Sequence, residues 1–377
     1  MWPLPSKKWR KVSLRTDSPE VRRLVDFAES YPGVHTEIHQ IQGATRTLSE
    51  LYLLGLTGVI PTEPFKEFAC VERVVRITEK FRSIGRHGGE LEAVGFDYNG
   101  VHISQDTFHL FPGLCAVDNR ENVDAMFRLL GEHGIQTARA GAYKPRTSPY
   151  DFQGHGAKCL PYVFESAGKH GIRIVSMEVT HESQIDELLE ALRDSGNATG
   201  VMIQIGTRNA QNFELLKHVG QQTELPVLFK RGMGITLEES LNACEYVASG
   251  GNRRIVFCLR GMKTNLGDPH RNFVDFAHVP VVKRLTRLPV SIDPSHSVGS
   301  RAMAPDGLLD VFHVTAQGVI AGANMVLVDF HPKPEEALCD GPQALLAEEL
   351  PRYIEDAQIV REAYEARLRR IASPPKG

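Results

Sequence analysis

The chain has 377 residues, 42% hydrophobic and 24% charged, with a formal net charge of −3. That length predicts two domains, and the composition is that of a soluble globular protein. The slight acidity argues against a nucleic-acid binder, which carries a basic excess. No run of 18 apolar residues is present, which excludes a helical membrane span. The basic opening MWPLPSKKWRKVSLR has no apolar stretch behind it, so a cytoplasmic location is expected rather than secretion. The six cysteines (Cys70, Cys115, Cys159, Cys244, Cys258 and Cys339) form no CxxC pair, which predicts reduced thiols rather than a disulfide framework.

In chain order, residues 1–85 predict a small α+β domain. Its candidate elements are WRKVSLR, a helical VRRLVDFAESYP, a strand ELYLLGLTGVI and then FACVERVVRITEK. Residues 86–106 (HGGELEAVGFDYNGVHISQ and flanks) predict a linker and a short hairpin.

From residue 107 to 377 the pattern becomes regular. Eight short apolar runs rich in β-branched residues follow one another: FHLFPGLCAV, IQTARAGAY, IRIVSMEV, GVMIQIG, PVLFKRG, RRIVFCLRG, PVSIDPSH and ANMVLVDFH. Helical stretches such as ENVDAMFRLLGEHG, SQIDELLEALRDSG and TLEESLNACEYVASGG alternate with them, several closing on Gly. Continuous apolar strands alternating with helices predict parallel strands buried on both faces. Eight repeats over this length predict a (β/α)8 barrel, with an open doubly wound sheet as the alternative. The tail LLAEELPRYIEDAQIVREAYEARLRRI predicts a long final helix.

In such a barrel the C-terminal strand ends face the active site. The residues expected there are Cys115 after strand one, Arg139 with Lys144 and Arg146 after strand two, and Glu178 after strand three. Arg208, Lys230 and Arg260 follow strands four, five and six. His296 follows strand seven, Asp329 and His331 strand eight, and Asp340 the next loop. Singly, each has an ordinary reading: Cys115 as a buried hydrophobe, the cations as loop residues, Asp293-Pro-Ser as a turn or cap. Together, four cation-bearing strand ends imply a strongly anionic ligand carrying carboxylate and phosphate, groups that guanidinium forks suit. Cys115, His296, Asp329 and Asp340 make a mixed thiolate, imidazole and carboxylate set that suits a divalent Mn, Fe, Co or Zn ion. Such an ion beside phosphate-binding cations suggests Lewis-acid chemistry on a carbonyl.

RAGAYKPRTSPYDFQG, QIGTRNAQNFELLKHVG, LFKRGMGITLEESLNACEYVASGGN, LPVSIDPSHSVG and DFHPKPEEALCDGPQAL closely resemble the 3-deoxy-D-arabino-heptulosonate 7-phosphate (DAHP) synthases, in the type I beta subgroup. The resemblance covers the whole barrel in order. VRRLVDFAESYP and FACVERVVRI resemble, more weakly, the ferredoxin-like domain that some members carry. The family condenses phosphoenolpyruvate with erythrose 4-phosphate and releases phosphate. The resemblance implies that Arg139, Lys144, Arg208, Lys230 and Arg260 bind phosphoenolpyruvate, and that Lys144-Pro145-Arg146-Thr147 contacts the erythrose 4-phosphate. It places the metal ligands at Cys115, His296, Asp329 and Asp340, and the catalytic roles at Lys144, His296, Cys115 and Glu178. It also implies a homotetramer, with tyrosine or phenylalanine as inhibitor. The sister 3-deoxy-D-manno-octulosonate 8-phosphate synthases carry a KANRSS-like loop where this chain has KPRTS, which favours the four-carbon acceptor.

Three positions depart from the family pattern. The usual GPC is Gly113-Leu114-Cys115, and the usual CERG is Cys258-Leu259-Arg260-Gly261. The glutamate ligand expected in VEVHP is Asp329, one methylene shorter, a reach deficit of roughly 1.5 Å. Two alternatives follow from these departures: a secondary-metabolism paralogue with another aldose phosphate, or a non-catalytic phosphoenolpyruvate-binding regulatory paralogue.

Overall fold

The computed structural model describes residues 18–42, 47–57, 60–75, 81–87 and 95–372. Its chain divides into two compact units, residues 1–78 and 79–377. In the first, helix α1 (Pro19–Glu29) is N-capped by Ser18, whose hydroxyl accepts from the Val21 N–H. Strands β1 (Val34–Gln42) and β2 (Thr47–Gly55) pair antiparallel, and a single turn, α2 (Glu63–Lys66), follows. Leu24, Ala28, Val34, Ile60 and Phe65 form this unit's core. The helix expected in VRRLVDFAESYP and the strand in ELYLLGL are both present. WRKVSLR lies outside the described residues, as does the end of FACVERVVRITEK.

The second unit opens with the expected hairpin, β3 (Gly95–Tyr98) and β4 (Val101–Ser104). Asn99 and Gly100 turn it, both at positive φ, as a two-residue loop between right-twisted strands requires. Eight parallel strands then close into a barrel: β5 (His109–Leu114), β6 (Thr137–Ala140), β7 (Ile174–Val179), β8 (Gly200–Ile205), β9 (Val227–Lys230), β10 (Ile255–Leu259), β11 (Val290–Ile292) and β12 (Met325–Asp329). The ring closes by β12 pairing with β5. The (β/α)8 expectation is therefore met, and the open-sheet alternative is not.

Phe111, Ile174, Met202, Leu228, Val256 and Leu327 fill the barrel interior, and Phe96, Val101 and Ile103 of the hairpin join the same cluster. Fully burying side chains of this size stabilises by about 1.5–3 kcal/mol each. With the interior filled by apolar side chains, the polar strand ends are left to the mouth.

Among the barrel helices is α8 (Val279–Leu285), whose Lys283 sits against the Tyr364 ring, 6.0 Å from its centroid, and 3.4 Å from the Gln105 carbonyl. Burial, then Arg361 and Arg86, push its ammonium down to about 8 in spite of Asp106. Above pH 8 the folded state has given up a proton that the unfolded chain keeps until about 10.5, so this group makes stability rise with pH across that window. Replacing Lys283 with Met is expected to stabilise the protein at pH 7 by about 1–2 kcal/mol, allowing for partial solvent access. The advantage should shrink between pH 8 and 10.5; urea unfolding of both proteins at pH 7 and pH 10 measures it.

Candidate active site

The polar strand ends line one cavity of about 200 Å³ at the barrel mouth, which includes Arg139, Lys144, Glu178, Arg208, Lys230, Arg260, His296 and Asp340. Pro145, Arg146 and Thr147 reach it from the loop after β6. Seven lining cations (Arg139, Lys144, Arg146, Arg208, Lys230, Arg260, Arg271) face three lining carboxylates (Asp151, Glu178, Asp340), and Asp329 and Asp293 behind them pair Arg139 and Lys230; the remaining excess of two positive charges suits an anionic ligand.

Register explains how the deepest charges meet. Asp329 on β12 is level with Gly113 on β5, which is level with Arg139 on β6. Gly113, at φ 152°, carries no side chain, and a Cβ there would run into the Arg139 carbonyl. Arg139 and Asp329 therefore meet as a close, fully buried ion pair beside it. Asp329 also accepts from Gln343 Nε2 at 2.5 Å, and its own N–H donates to Ser295 Oγ at 2.9 Å.

Lys144 is 9% exposed, and its ammonium lies 3.3 Å from Cys115 Sγ and 3.6 Å from Glu178 Oε2. Burial disfavours its charge, but Cys115 and Glu178 outweigh burial and raise it above the usual lysine range. Across the mouth, Lys230 Nζ donates to Asp293 Oδ2 at 2.6 Å. Arg260 has no such anion. It is 3% exposed, its Nη1 has no hydrogen-bond partner among the described residues, and burial pushes its guanidinium down. A buried guanidinium nitrogen left unpaired is costly unless a ligand completes it. Arg208 donates to Thr147 Oγ1 at 3.2 Å, tying the loop after β8 to the KPRT loop.

His296 lies on the short helix α9 (Pro294–Val298), whose N-cap Asp293 accepts the His296 N–H at 3.1 Å. The same carboxylate engages His296 Nδ1 at 3.0–3.1 Å. That leaves Nε2 facing Cys115 Sγ (3.8 Å) and Asp340 Oδ2 (3.6 Å). Burial opposes charge on His296, but Asp293 and then Asp329 lift its imidazole to about 10. Cys115, His296, Asp329 and Asp340 each offer a ligand atom within 4.8 Å of the others. The thiolate, imidazole and carboxylate donors fit a divalent transition metal, and Asp293 fixes the imidazole in the orientation a ligand needs.

His331, expected at the mouth, instead makes a buried pair with Asp118 at 2.9 Å, supported by Asn122. Several lining residues were not among those expected from the sequence: Gln204, Gly206, Thr207, Met233, Arg271 and Cys339. Arg271 donates to Asp340 Oδ1 at 3.1 Å, and Arg146 Nη1 donates to Cys339 Sγ at 2.6 Å. Of these, Cys339 was legible as a thiol next to Asp340 in the motif ALCDGPQ.

Comparison with known proteins agrees with this geometry. The model of the DAHP synthetase I family matches residues 90–368. A phospho-2-dehydro-3-deoxyheptonate aldolase of Thermotoga maritima is 37% identical over 336 residues, covering 89% of this chain and 92% of its own. The crystal structure of the Thermotoga maritima enzyme superposes with a TM-score of 0.67 at 34% identity, covering 91% of this chain and 93% of its own. A 2-dehydro-3-deoxyphosphooctonate aldolase of Alkalilimnicola ehrlichii is more distant, 23% identical over 69% of this chain and 93% of its own.

Proposed function

The chain belongs to the DAHP synthetase I family, and from that premise we propose that it condenses phosphoenolpyruvate with erythrose 4-phosphate. The products are DAHP and inorganic phosphate, the first step of the shikimate pathway. The observation that carries this reading is the cationic mouth, with Arg260 Nη1 at its wall lacking a hydrogen-bond partner among the described residues and the metal-donor set beside it.

Arg139, Lys144, Arg208, Lys230 and Arg260 hold the carboxylate and phosphate of phosphoenolpyruvate, and Arg146 and Thr147 hold the acceptor's phosphate. Fixing both substrates so that C3 of the enol faces the aldehyde carbon removes much of the bimolecular entropy barrier, up to roughly 7–11 kcal/mol. A divalent Mn, Fe, Co or Zn ion on Cys115, His296, Asp340 and Asp329 supplies Lewis acidity toward the aldehyde oxygen when bound. Lys144 donates a proton to that oxygen as the C–C bond forms. Glu178, paired with Lys144, takes the proton of the water that adds at C2 before phosphate departs.

In finer detail, the reading places the chain in the type I beta subgroup. The N-terminal unit acts as a ferredoxin-like domain that takes tyrosine or phenylalanine as inhibitor, in a homotetramer. Helix α1 packed beside the β1–β2 pair supports that assignment.

Phosphate release measured with phosphoenolpyruvate and either erythrose 4-phosphate or a five-carbon aldose phosphate tests the acceptor. Turnover is expected at least tenfold faster with the four-carbon sugar, and the same assay with tyrosine or phenylalanine added tests the regulatory reading. Faster turnover with the five-carbon sugar would reassign the KPRT loop.

A further inference from the structure

Cys339 adjoins the metal-donor cluster at Cys115 and Asp340. Its Sγ is 3.9 Å from Cys115 Sγ and 3.2 Å from Asp340 Oδ2. The remaining described separations are 3.0 Å for Cys115 Sγ to Asp340 Oδ2, 3.8 Å for Cys115 Sγ to His296 Nε2, and 3.6 Å for His296 Nε2 to Asp340 Oδ2. Metal–sulfur bonds near 2.3 Å and metal–nitrogen or metal–oxygen bonds of 2.0–2.2 Å in tetrahedral array put ligand atoms roughly 3.3–3.8 Å apart. Four of the five separations fall within about 0.1 Å of that range, and the two shortest run to Asp340. Those two are hydrogen bonds that the protonated thiols make, and they lengthen when a cation replaces the protons.

Asp329 stands differently. Arg139 and Gln343 hold its two oxygens, and it approaches His296 at Nδ1 (3.8 Å), the nitrogen engaged by Asp293, rather than at Nε2. Its shorter side chain is therefore committed to the strand-end ion pair. The second sulfur, by contrast, lies within 3.9 Å of donor atoms of Cys115 and Asp340. Both sulfurs also receive cationic N–H groups: Lys144 and Arg139 on Cys115, and Arg146 on Cys339.

We propose that Cys339 is a metal ligand of this chain, giving a two-thiolate centre of Cys115, His296, Cys339 and Asp340, with Asp329 as an outer carboxylate that positions Arg139. The proposal rests on the metal-dependent reading above and exchanges Asp329 for Cys339 in its ligand set. Two thiolates soften the donor set, so the centre prefers Zn, Co and Fe to Mn. Because Arg146 binds the same sulfur, the metal centre and the acceptor-phosphate loop are joined at Cys339.

The test uses cobalt(II) added to the intact metal-free protein, reading thiolate-to-cobalt charge transfer in the near ultraviolet. For Cys339→Ser the band per bound cobalt is expected to fall about twofold and the affinity about tenfold or more, whereas Asp329→Asn keeps the full band. A full band in Cys339→Ser, or a halved band in Asp329→Asn, overturns the assignment while leaving the metal reading intact. No cobalt bound by the intact protein overturns both. A second measurement needs no variant: zinc is expected to shield both Cys115 and Cys339 from iodoacetamide, as mapped by peptide mass. Shielding of Cys115 alone overturns the proposal.

Discussion

Replacement of Lys144 by Met is expected to lower the turnover number by about 10³-fold or more, with a far smaller change in the KM for phosphoenolpyruvate. Methionine keeps the volume and removes only the ammonium, which stands between Cys115 Sγ (3.3 Å) and Glu178 Oε2 (3.6 Å). Arg139, Arg208, Lys230 and Arg260 remain to hold the substrate anion, so ground-state binding survives better than proton transfer. Glu178 loses its buried cation, leaving a carboxyl at 7% exposure without that partner. Steady-state kinetics of the variant measure the split. A loss confined to KM would reduce Lys144 to one binding cation among several.

The second large effect is expected at Asp293. This fully buried carboxylate neutralises Lys230, caps α9 and fixes the His296 ring. Asp293→Ala leaves Lys230 buried without its anion, a change that costs about 3–5 kcal/mol where a buried pair is broken. It also frees the His296 ring, and loss of such an outer partner lowers metal affinity by about 10–100-fold. Asp293→Asn separates the two roles. The amide oxygen can still accept the His296 N–H, so the cap and part of the stability return, while the charge opposite Lys230 does not. Urea unfolding and metal competition on both variants are the measurements; equal metal affinity in Asp293→Ala and the native protein would remove the orienting role.

The barrel was legible in the sequence because its strands are buried on both faces and carry unbroken runs such as IRIVSMEV and RRIVFCLRG. Strand β1 escaped notice for the opposite reason. VHTEIHQIQ breaks its apolar positions with His, Glu and Gln, and its alternation is weak.

The site was legible where chemistry sits at strand ends: every residue expected to bind substrate lines the mouth. Loop residues were harder to place. Arg271 and Cys339 belong to segments with no periodicity, and only the closed barrel brings the loops after β10 and β12 together at Asp340. His331 shows the converse. It follows the same strand as Asp329 yet points to Asp118, since adjacent strand positions do not share a direction. Asp329 in place of the expected glutamate was visible as a departure, but its engagement by Arg139 and Gln343 depends on a register that no local pattern encodes.

The central claim is that this mouth joins phosphoenolpyruvate to erythrose 4-phosphate at a site that needs a divalent ion. The most direct measurement follows phosphoenolpyruvate consumption by the purified 377-residue chain with erythrose 4-phosphate, before chelation, after chelation, and after return of zinc or cobalt. The account predicts equimolar phosphate release, at least 100-fold loss on chelation, and recovery when metal returns. Consumption that persists undiminished in chelator, or none with any metal supplied, would contradict it.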